Sequence, residues 1–405
     1  MIETDNKKSV LFRAPFVVPV SGSIITDGAV LVLGTEIAAV GRYADLQGQG
    51  ARLVDLEQRI LTPALLNCHT HLELSALADM GRDKGFAGQD ITVWIRALLQ
   101  QRASTTGDVE KEAATRAIEE MRAGGVVLAA DIGNSPASPA IDNGSNLEID
   151  FFLEFLGLNP AILDVFRDRL AGLEQPCTAH APHTTHPEMI RFLKQRALTL
   201  GNKFPLHVAE SASEIEFLQD GNGPFRDFIV ERLGRADLFA APGCGALEYL
   251  DRLGVVDADT ICVHAVHISA VEADLLAKRR AKVCLCPGSN RVLGVGKAKL
   301  AVLLDKGIKP CLGTDSLASN EELNLWREMR ILQEDHPGVA PAAIFAMATK
   351  NGAIAMGRQK LGALEAGKDA KILAVRFKNL RADEVYSYLV NIGKPDLSWP
   401  ETGNV

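Results

Sequence analysis

No run of apolar residues in this 405-residue chain approaches the ~20 needed to cross a bilayer, and Met1 to Val10 lacks the basic-then-apolar pattern of a secretory signal. The expectation is a cytoplasmic protein with no membrane partner. A basic excess is missing too. The chain carries 43 Lys and Arg against 51 Asp and Glu, a net charge of −8, which argues against nucleic acid as a partner. Cysteine is sparse and odd in number: seven residues, with no Cys-x-x-Cys pair. A large cytosolic chain needs no disulfide framework, so these residues read as small core hydrophobes, as in Ile261-Cys262-Val263. Cys284 and Cys286 alternate with Leu285 on one strand face, but a metal site on them alone lacks two further soft ligands. Internal repeats and low-complexity tracts are absent. What is present is a globular composition, 47% apolar and 23% charged, which excludes disorder over most of the chain. At about 150 residues per domain, the length fits two or three domains or one large barrel with attachments.

Residues 1 to about 60 are rich in glycine and β-branched residues, as in Ala29-Val30-Leu31-Val32-Leu33. They read as short strands of an antiparallel sheet. Gly362 to Ala370 reads as a turn-rich hairpin and Lys371 to Val375 as a strand, so the two chain ends are expected to pair in one small β-domain. Between them lie eight short apolar runs with strand character: 61–67, 125–131, 149–156, 176–181, 204–209, 260–265, 282–286 and 309–314. Most gaps hold helical patterns, at 108–121, 187–200, 269–279, 298–306 and 322–333. Strand alternating with helix eight times predicts a parallel (β/α)8 barrel in the α/β class.

In such a barrel the reactive groups sit where strands end on the carboxyl face. The runs end in His69 and His71, Asp131, Glu154, His180 and His183, His207 and Glu210, His264 and His267, Ser289 and Asn290, and Asp315. Histidines scattered through a core would not collect this way. His69 and His71 stand two residues apart, on one face of a strand, where two imidazoles can grip one metal ion. His207 supplies a third imidazole. Glu210 belongs to the loop beyond it, either as a general base beside a metal-bound water or as a surface carboxylate starting a helix. Asp315 can ligate the metal, hold the water, or cap a helix. His264 is either a buried core histidine or an imidazole that orients the nucleophile and stabilises charge on the leaving side. Together these residues suit a hydrolytic metal centre, in which Glu210 takes the water's proton and passes it to a leaving nitrogen.

These motifs resemble the amidohydrolase superfamily, in its cytosine deaminase-like and chlorohydrolase-like branch, along nearly the whole chain. The carrying segments are Thr62 to His71, His207-Val208-Ala209-Glu210, Val263-His264-Ala265-Val266-His267, Cys286-Pro287-Gly288-Ser289-Asn290 and Leu312-Gly313-Thr314-Asp315-Ser316. The resemblance implies a discontinuous β-sandwich domain from residues 1–61 and 359–405, and a metal-dependent hydrolase barrel from 62–358. It implies His69, His71, His207 and Asp315 as metal ligands, and Glu210 and His264 as the proton-handling pair with Asp315 beside them. His180 matches a histidine that contacts substrate, and His183, which replaces a common tyrosine, is expected to line the pocket. No lysine stands at the end of run three or four to bridge two metals, so the expected cofactor is one divalent ion, zinc with iron as the alternative. Ala64 replaces the family's usual glycine after Pro63.

Leu72-Glu73-Leu74-Ser75, following the metal motif, is similar to the extension found in aminodeoxyfutalosine deaminases, which remove ammonia from an adenine ring in menaquinone synthesis. Glu73 falls one strand-step past His71, facing the same pocket to accept from an amine or a ribose hydroxyl, or it is an unrelated loop carboxylate. The expected function is therefore deamination of an adenine-type nucleoside, a small-molecule substrate, by an enzyme that is a homodimer by default. The alternatives are another reaction on the same centre (guanine or cytosine deamination, amide hydrolysis, dehalogenation) and a silent barrel used for binding.

Overall fold

The two sequence patterns fold into two kinds of sheet. The computed structural model describes residues 9–135, 147–235 and 238–401. Residues 1–8, read above as free of a signal, and 402–405, in the expected terminal domain, lie outside the described residues. The N-terminal strands are β1 (Ser9–Val17), β2 (Ile25–Leu33), β3 (Glu36–Arg42), β4 (Arg52–Asp55) and β5 (Arg59–Pro63). Alternation sends Val10, Phe12 and Ala14 into one apolar cluster with Val30 and Val32, while Leu11 packs with Ala29, Leu31 and Leu46.

All eight apolar runs of the middle are strands, because parallel strands covered on both faces read as unbroken apolar runs. They are β6 (Leu65–Thr70), β7 (Val126–Gly133), β8 (Glu148–Phe155), β9 (Cys177–Ala179), β10 (Phe204–Val208), β11 (Thr260–His264), β12 (Lys282–Leu285) and β13 (Cys311–Leu312). They pair in chain order as two four-stranded sheets, β6 to β9 and β10 to β13. The backbone N–H of His207 donates to His180 O at 2.9 Å, and those of Thr314 and Asp315 donate to His69 O at 3.0 and 3.1 Å. Helices fill the gaps. The Pro187–Leu200 helix is bracketed by proline at its first turn and by left-handed Gly201, φ 68°, at its end.

The chain then returns through β14 (Ile372–Arg376) and β15 (Leu397–Ser398). One seven-stranded sheet unites both ends in the order β15-β14-β5-β1-β2-β3, with β4 beside β1. It is mixed rather than purely antiparallel, since β4 and β5 both run parallel to β1. The reason is connectivity: after the β1–β2–β3 meander the chain crosses back to the far edge of β1, which fixes its direction. Residues 362–370 form turns, not a hairpin of strands.

Two compact units result. One comprises Met1–Leu66, Met121–Leu128 and Asn324–Val405; the other comprises Asn67–Glu120 and Ala129–Leu323. Every candidate site residue lies in the second. All seven cysteines are buried thiols outside any disulfide, as core residues would be. Among the described residues, no helix is long and apolar enough to cross a membrane.

Candidate metal centre

Four side chains from the ends of β6 and β10 and the turn after β13 converge. One donor atom each from His69, His71, His207 and Asp315 lies within 4.8 Å of the others, and all four residues are buried. The tautomers follow from their outer partners. His71 Nδ1 lies 2.8 Å from Ile132 O and His207 Nδ1 lies 3.0 Å from His180 O. A carbonyl can only accept, so each Nδ1 carries the proton and each Nε2 holds a bare lone pair. Those two Nε2 atoms stand 3.3 Å apart. Two lone pairs that close repel unless a cation sits against both. His69 adds to this: both its ring nitrogens are buried with no hydrogen-bond partner. Asp315 Oδ1 stands 3.5 Å from Nε2 of His69 and 3.5 Å from that of His71. The donor set therefore fits a divalent cation, with outer hydrogen bonds orienting His71 and His207.

Electrostatics agree. Burial and the neighbouring rings push His71 down to about 3 and hold His69 and His207 below the ordinary imidazole range. All three are neutral at pH 7, the form a metal requires. Asp315 is buried, which alone would raise it, yet His69, His71 and His264 hold it well below the usual carboxylate range. Its Oδ2 accepts from Ser289 Oγ at 2.6 Å and Ser319 Oγ at 2.8 Å, leaving Oδ1 for the centre. Asn67 links β6 to this turn, donating to Thr314 Oγ1 at 2.8 Å and accepting from Thr314 N at 3.1 Å.

Glu210 and His264 stand together, with Glu210 Oε1 3.5 Å from His264 Nε2. One atom each of Glu210, His264 and Asp315 also lies within 4.8 Å of the others. Burial pushes Glu210 up to about 7. His264 Nδ1 lies 3.0 Å from Asn290 Oδ1, which fixes the ring. Burial would lower His264, but Glu210 and Asp315 raise it above its ordinary value. Four non-glycine residues here adopt left-handed backbone: Ala209 (φ 53°), His264 (69°), Ala265 (49°) and Asp315 (58°). Each such residue costs about 1–3 kcal/mol and concentrates where side-chain direction matters.

The expected substrate residues fare differently. His180 lies beside the centre, its ring 4.7 Å from that of His207 and its Nδ1 2.7 Å from Thr184 Oγ1. His183 packs on the Phe225 ring at 4.4 Å, with Nδ1 3.6 Å from Glu214 Oε1. Glu73 is not one strand-step past His71. The Leu72 N–H donates to Asp131 Oδ1 at 2.8 Å, and the chain turns there into a 3-10 helix, Leu72–Leu77. The Glu73 carboxylate instead accepts from Arg102 at 2.6 Å and from the N–H groups of Asn134 and Ser135 at 3.0 and 3.2 Å. Asn134 in turn donates to Glu154 Oε2 at 3.1 Å. Glu154, pushed up to about 8 by burial, keeps Oε1 without a hydrogen bond, 3.8 Å from His207 Nδ1. His267 and His186 do structural work: His267 Nε2 lies 2.7 Å from Val295 O, and His186 caps the Pro187–Leu200 helix. Arg102, Asn134, Glu214 and Ser319 were not singled out by sequence. Only Glu214 left a signal, the Ser-x-x-Glu spacing from Ser211 that marks a helix start.

An α/β fold in which three neutral imidazoles and a carboxylate meet, with a second carboxylate alongside, is the equipment of a metal-dependent hydrolase. The chain belongs to the amidohydrolase family, whose sequence pattern matches residues 60–395. It is 31% identical over 388 residues to a 5-methylthioadenosine/S-adenosylhomocysteine deaminase of Nitratidesulfovibrio vulgaris, covering 87% of this chain and 80% of that one. An aminodeoxyfutalosine deaminase of Deinococcus radiodurans is 28% identical over 356 residues, covering 82% of each chain. The crystal structure of Helicobacter pylori aminofutalosine deaminase with methylthio-coformycin shares the fold, with a TM-score of 0.85 at 23% identity over 96% of this chain and 98% of that one.

Proposed function

We propose that this chain is a metal-dependent hydrolytic deaminase of an adenine-type nucleoside, of the aminodeoxyfutalosine kind, that releases ammonia. The observation that carries the reading is the pair of bare Nε2 atoms of His71 and His207, 3.3 Å apart, with Glu210 and His264 on the flank. The names of the relatives supply the substrate class. His69, His71, His207 and Asp315 hold one ion in this reading, zinc with iron as the alternative, since imidazole and carboxylate suit both. When bound, such an ion supplies Lewis acidity that lowers the pKa of water toward about 7.

The remaining steps belong to the protein. Glu210, pushed up to about 7, takes a proton from the attacking water as its oxygen bonds to the ring carbon and delivers that proton to the amine as the C–N bond breaks. His264 turns Nε2 toward Glu210, 3.5 Å from Oε1, where a proton on that nitrogen stabilises the negative charge that develops. His180 serves the substrate side, with the His183 ring 6.5 Å from it. The strand ends that bond His207 to His180 and Thr314 to His69 close the eight strands into a (β/α)8 barrel, residues 62–358, in this proposal. Residues 1–61 and 359–405 make up the β-sandwich domain, and the enzyme works as a cytoplasmic homodimer.

Glu210→Gln tests the reading. The variant should keep its metal and its affinity for an adenine nucleoside while ammonia release falls about 10²–10⁴-fold. A variant that turns over within about threefold of the parent removes Glu210 from the chemistry.

A further inference from the structure

Glu214 stands one turn into the Ala212–Asp220 helix, at the position where a glutamate ordinarily reaches back to the N-cap residue. The neighbouring Ala270–Arg279 helix shows that ordinary arrangement: Glu272 accepts from the N–H of its own N-cap, Ser269, at 2.8 Å. Glu214 does something else. Its N–H donates to the N-cap hydroxyl, Ser211 Oγ, at 3.2 Å, but its carboxylate passes the cap and grips the two residues before it. Oε1 accepts from Ala209 N and Oε2 from Glu210 N, both at 2.8 Å. The carboxylate is 1% exposed. Its other neighbour is His183, with Nδ1 3.6 Å from Oε1.

The two gripped amides belong to the corner that aims Glu210. Ala209 holds φ 53°, a conformation a β-carbon disfavours. The other side of this corner is pinned by the turn after β11, where Ala265 N donates to Val208 O at 3.0 Å and His267 N to Ala209 O at 2.9 Å. Both carbonyls and both amides of the corner are thus engaged. Nothing else described here accepts from the two amides, and an anionic acceptor for two consecutive N–H groups is stronger than a neutral one. We infer that Glu214, backed by His183, is a positioning residue for Glu210: it holds the strained Ala209–Glu210 corner so that the Glu210 carboxylate faces His264 and the metal-binding group. This rests on the assignment of Glu210 as the proton carrier, and it gives His183 a task behind the pocket wall.

Glu214→Gln tests it on metal-loaded full-length protein, because an amide offers one acceptor oxygen and turns an NH2 toward the second backbone N–H. Amide hydrogen exchange read over 205–212 should accelerate at Ala209 and Glu210 by about tenfold or more, while Leu206 to Val208 stay protected. The kcat should fall about 10–100-fold with KM and metal content near those of the parent. Ser211→Ala is the control: it weakens the same helix start and lowers Tm, yet should leave exchange at the corner and kcat unchanged. Unchanged exchange in Glu214→Gln overturns the inference, as does an equal loss of kcat in Ser211→Ala. Should Glu214→Gln not fold, His183→Gln takes its place, with a smaller rise in exchange at the same two amides as the expected result and none as the contrary one. The exchange arm needs no substrate. A protein silent toward every adenine nucleoside would therefore sink the deaminase reading while this inference still stood or fell by exchange.

Discussion

Gly313 is the residue whose replacement most directly strains the proposed centre without touching a ligand. It passes against the backbone of β6 at His69. A β-carbon placed on it would lie 2.7 Å from His69 Cβ and 2.9 Å from both His69 N and His69 O. Carbon atoms pack at about 3.5–4.0 Å, so Gly313→Ala must move one strand by roughly 0.8 Å. The atoms met are backbone and Cβ, which no rotamer change can withdraw. The same few residues carry the bonds from Thr314 N and Asp315 N to His69 O, so the shift separates His69 from Asp315. Overpacking of this kind costs about 1–3 kcal/mol, and a displacement near 1 Å at a reacting geometry costs about 100-fold in rate. The expected result is a Tm lower by roughly 1–4 °C, substoichiometric metal after gel filtration, and turnover down by about two orders of magnitude. Gly338→Ala, whose β-carbon would meet nothing within 4 Å, should match the parent in all three. A Gly313→Ala protein with full metal and an unshifted Tm would refute the reasoning.

Three further outcomes follow from the same geometry. Stripping the metal with a chelator should lower Tm, since an ion at 100 times its Kd contributes about 2.7 kcal/mol, and His71→Ala should abolish the difference between loaded and stripped protein. Ser319→Ala leaves Asp315 Oδ2 with Ser289 as its remaining hydroxyl donor of the two; metal affinity should fall about 10–100-fold by competition titration. Asp257 pairs at 2.6 Å with Lys194, which is 2% exposed. Burial alone would raise Asp257, but Lys194 holds it below its ordinary value. A depressed carboxyl stabilises above its unfolded pKa and loses that contribution as pH falls through the folded one. Asp257→Asn should therefore cost about 1–3 kcal/mol at pH 7, reduced for a half-exposed partner, a cost that shrinks as acid protonates Asp257 in the parent, read by denaturant melts across the acid range.

Much of this was legible in the residue order. The eight apolar runs mark eight strands because each is covered on both sides. His69, His71, His207 and Asp315 were legible because each lies within four residues of the end of such a run. The β13 strand is shorter than its run, 309–314, because Gly313 presses on β6 and Asp315 takes a left-handed turn. Glu73 was misplaced by extending strand periodicity past Thr70, where Asp131 captures the Leu72 N–H and ends the strand. Arg102 and Asn134 act through hydrogen bonds to residues distant in sequence, which leave no periodic trace, and Ser319 reaches Asp315 four residues back within an irregular turn. The direction of β4 and β5 was equally hidden, since pairing partners and not composition decide it.

Ammonia release by the zinc-loaded protein is the direct test of the whole account, measured against aminodeoxyfutalosine, methylthioadenosine, adenosylhomocysteine, adenosine, guanine and cytosine. The account predicts ammonia in step with loss of the adenine chromophore for at least one adenine nucleoside, and none from guanine or cytosine at a comparable rate. Folded, metal-bound protein that releases no ammonia from any adenine nucleoside would contradict it.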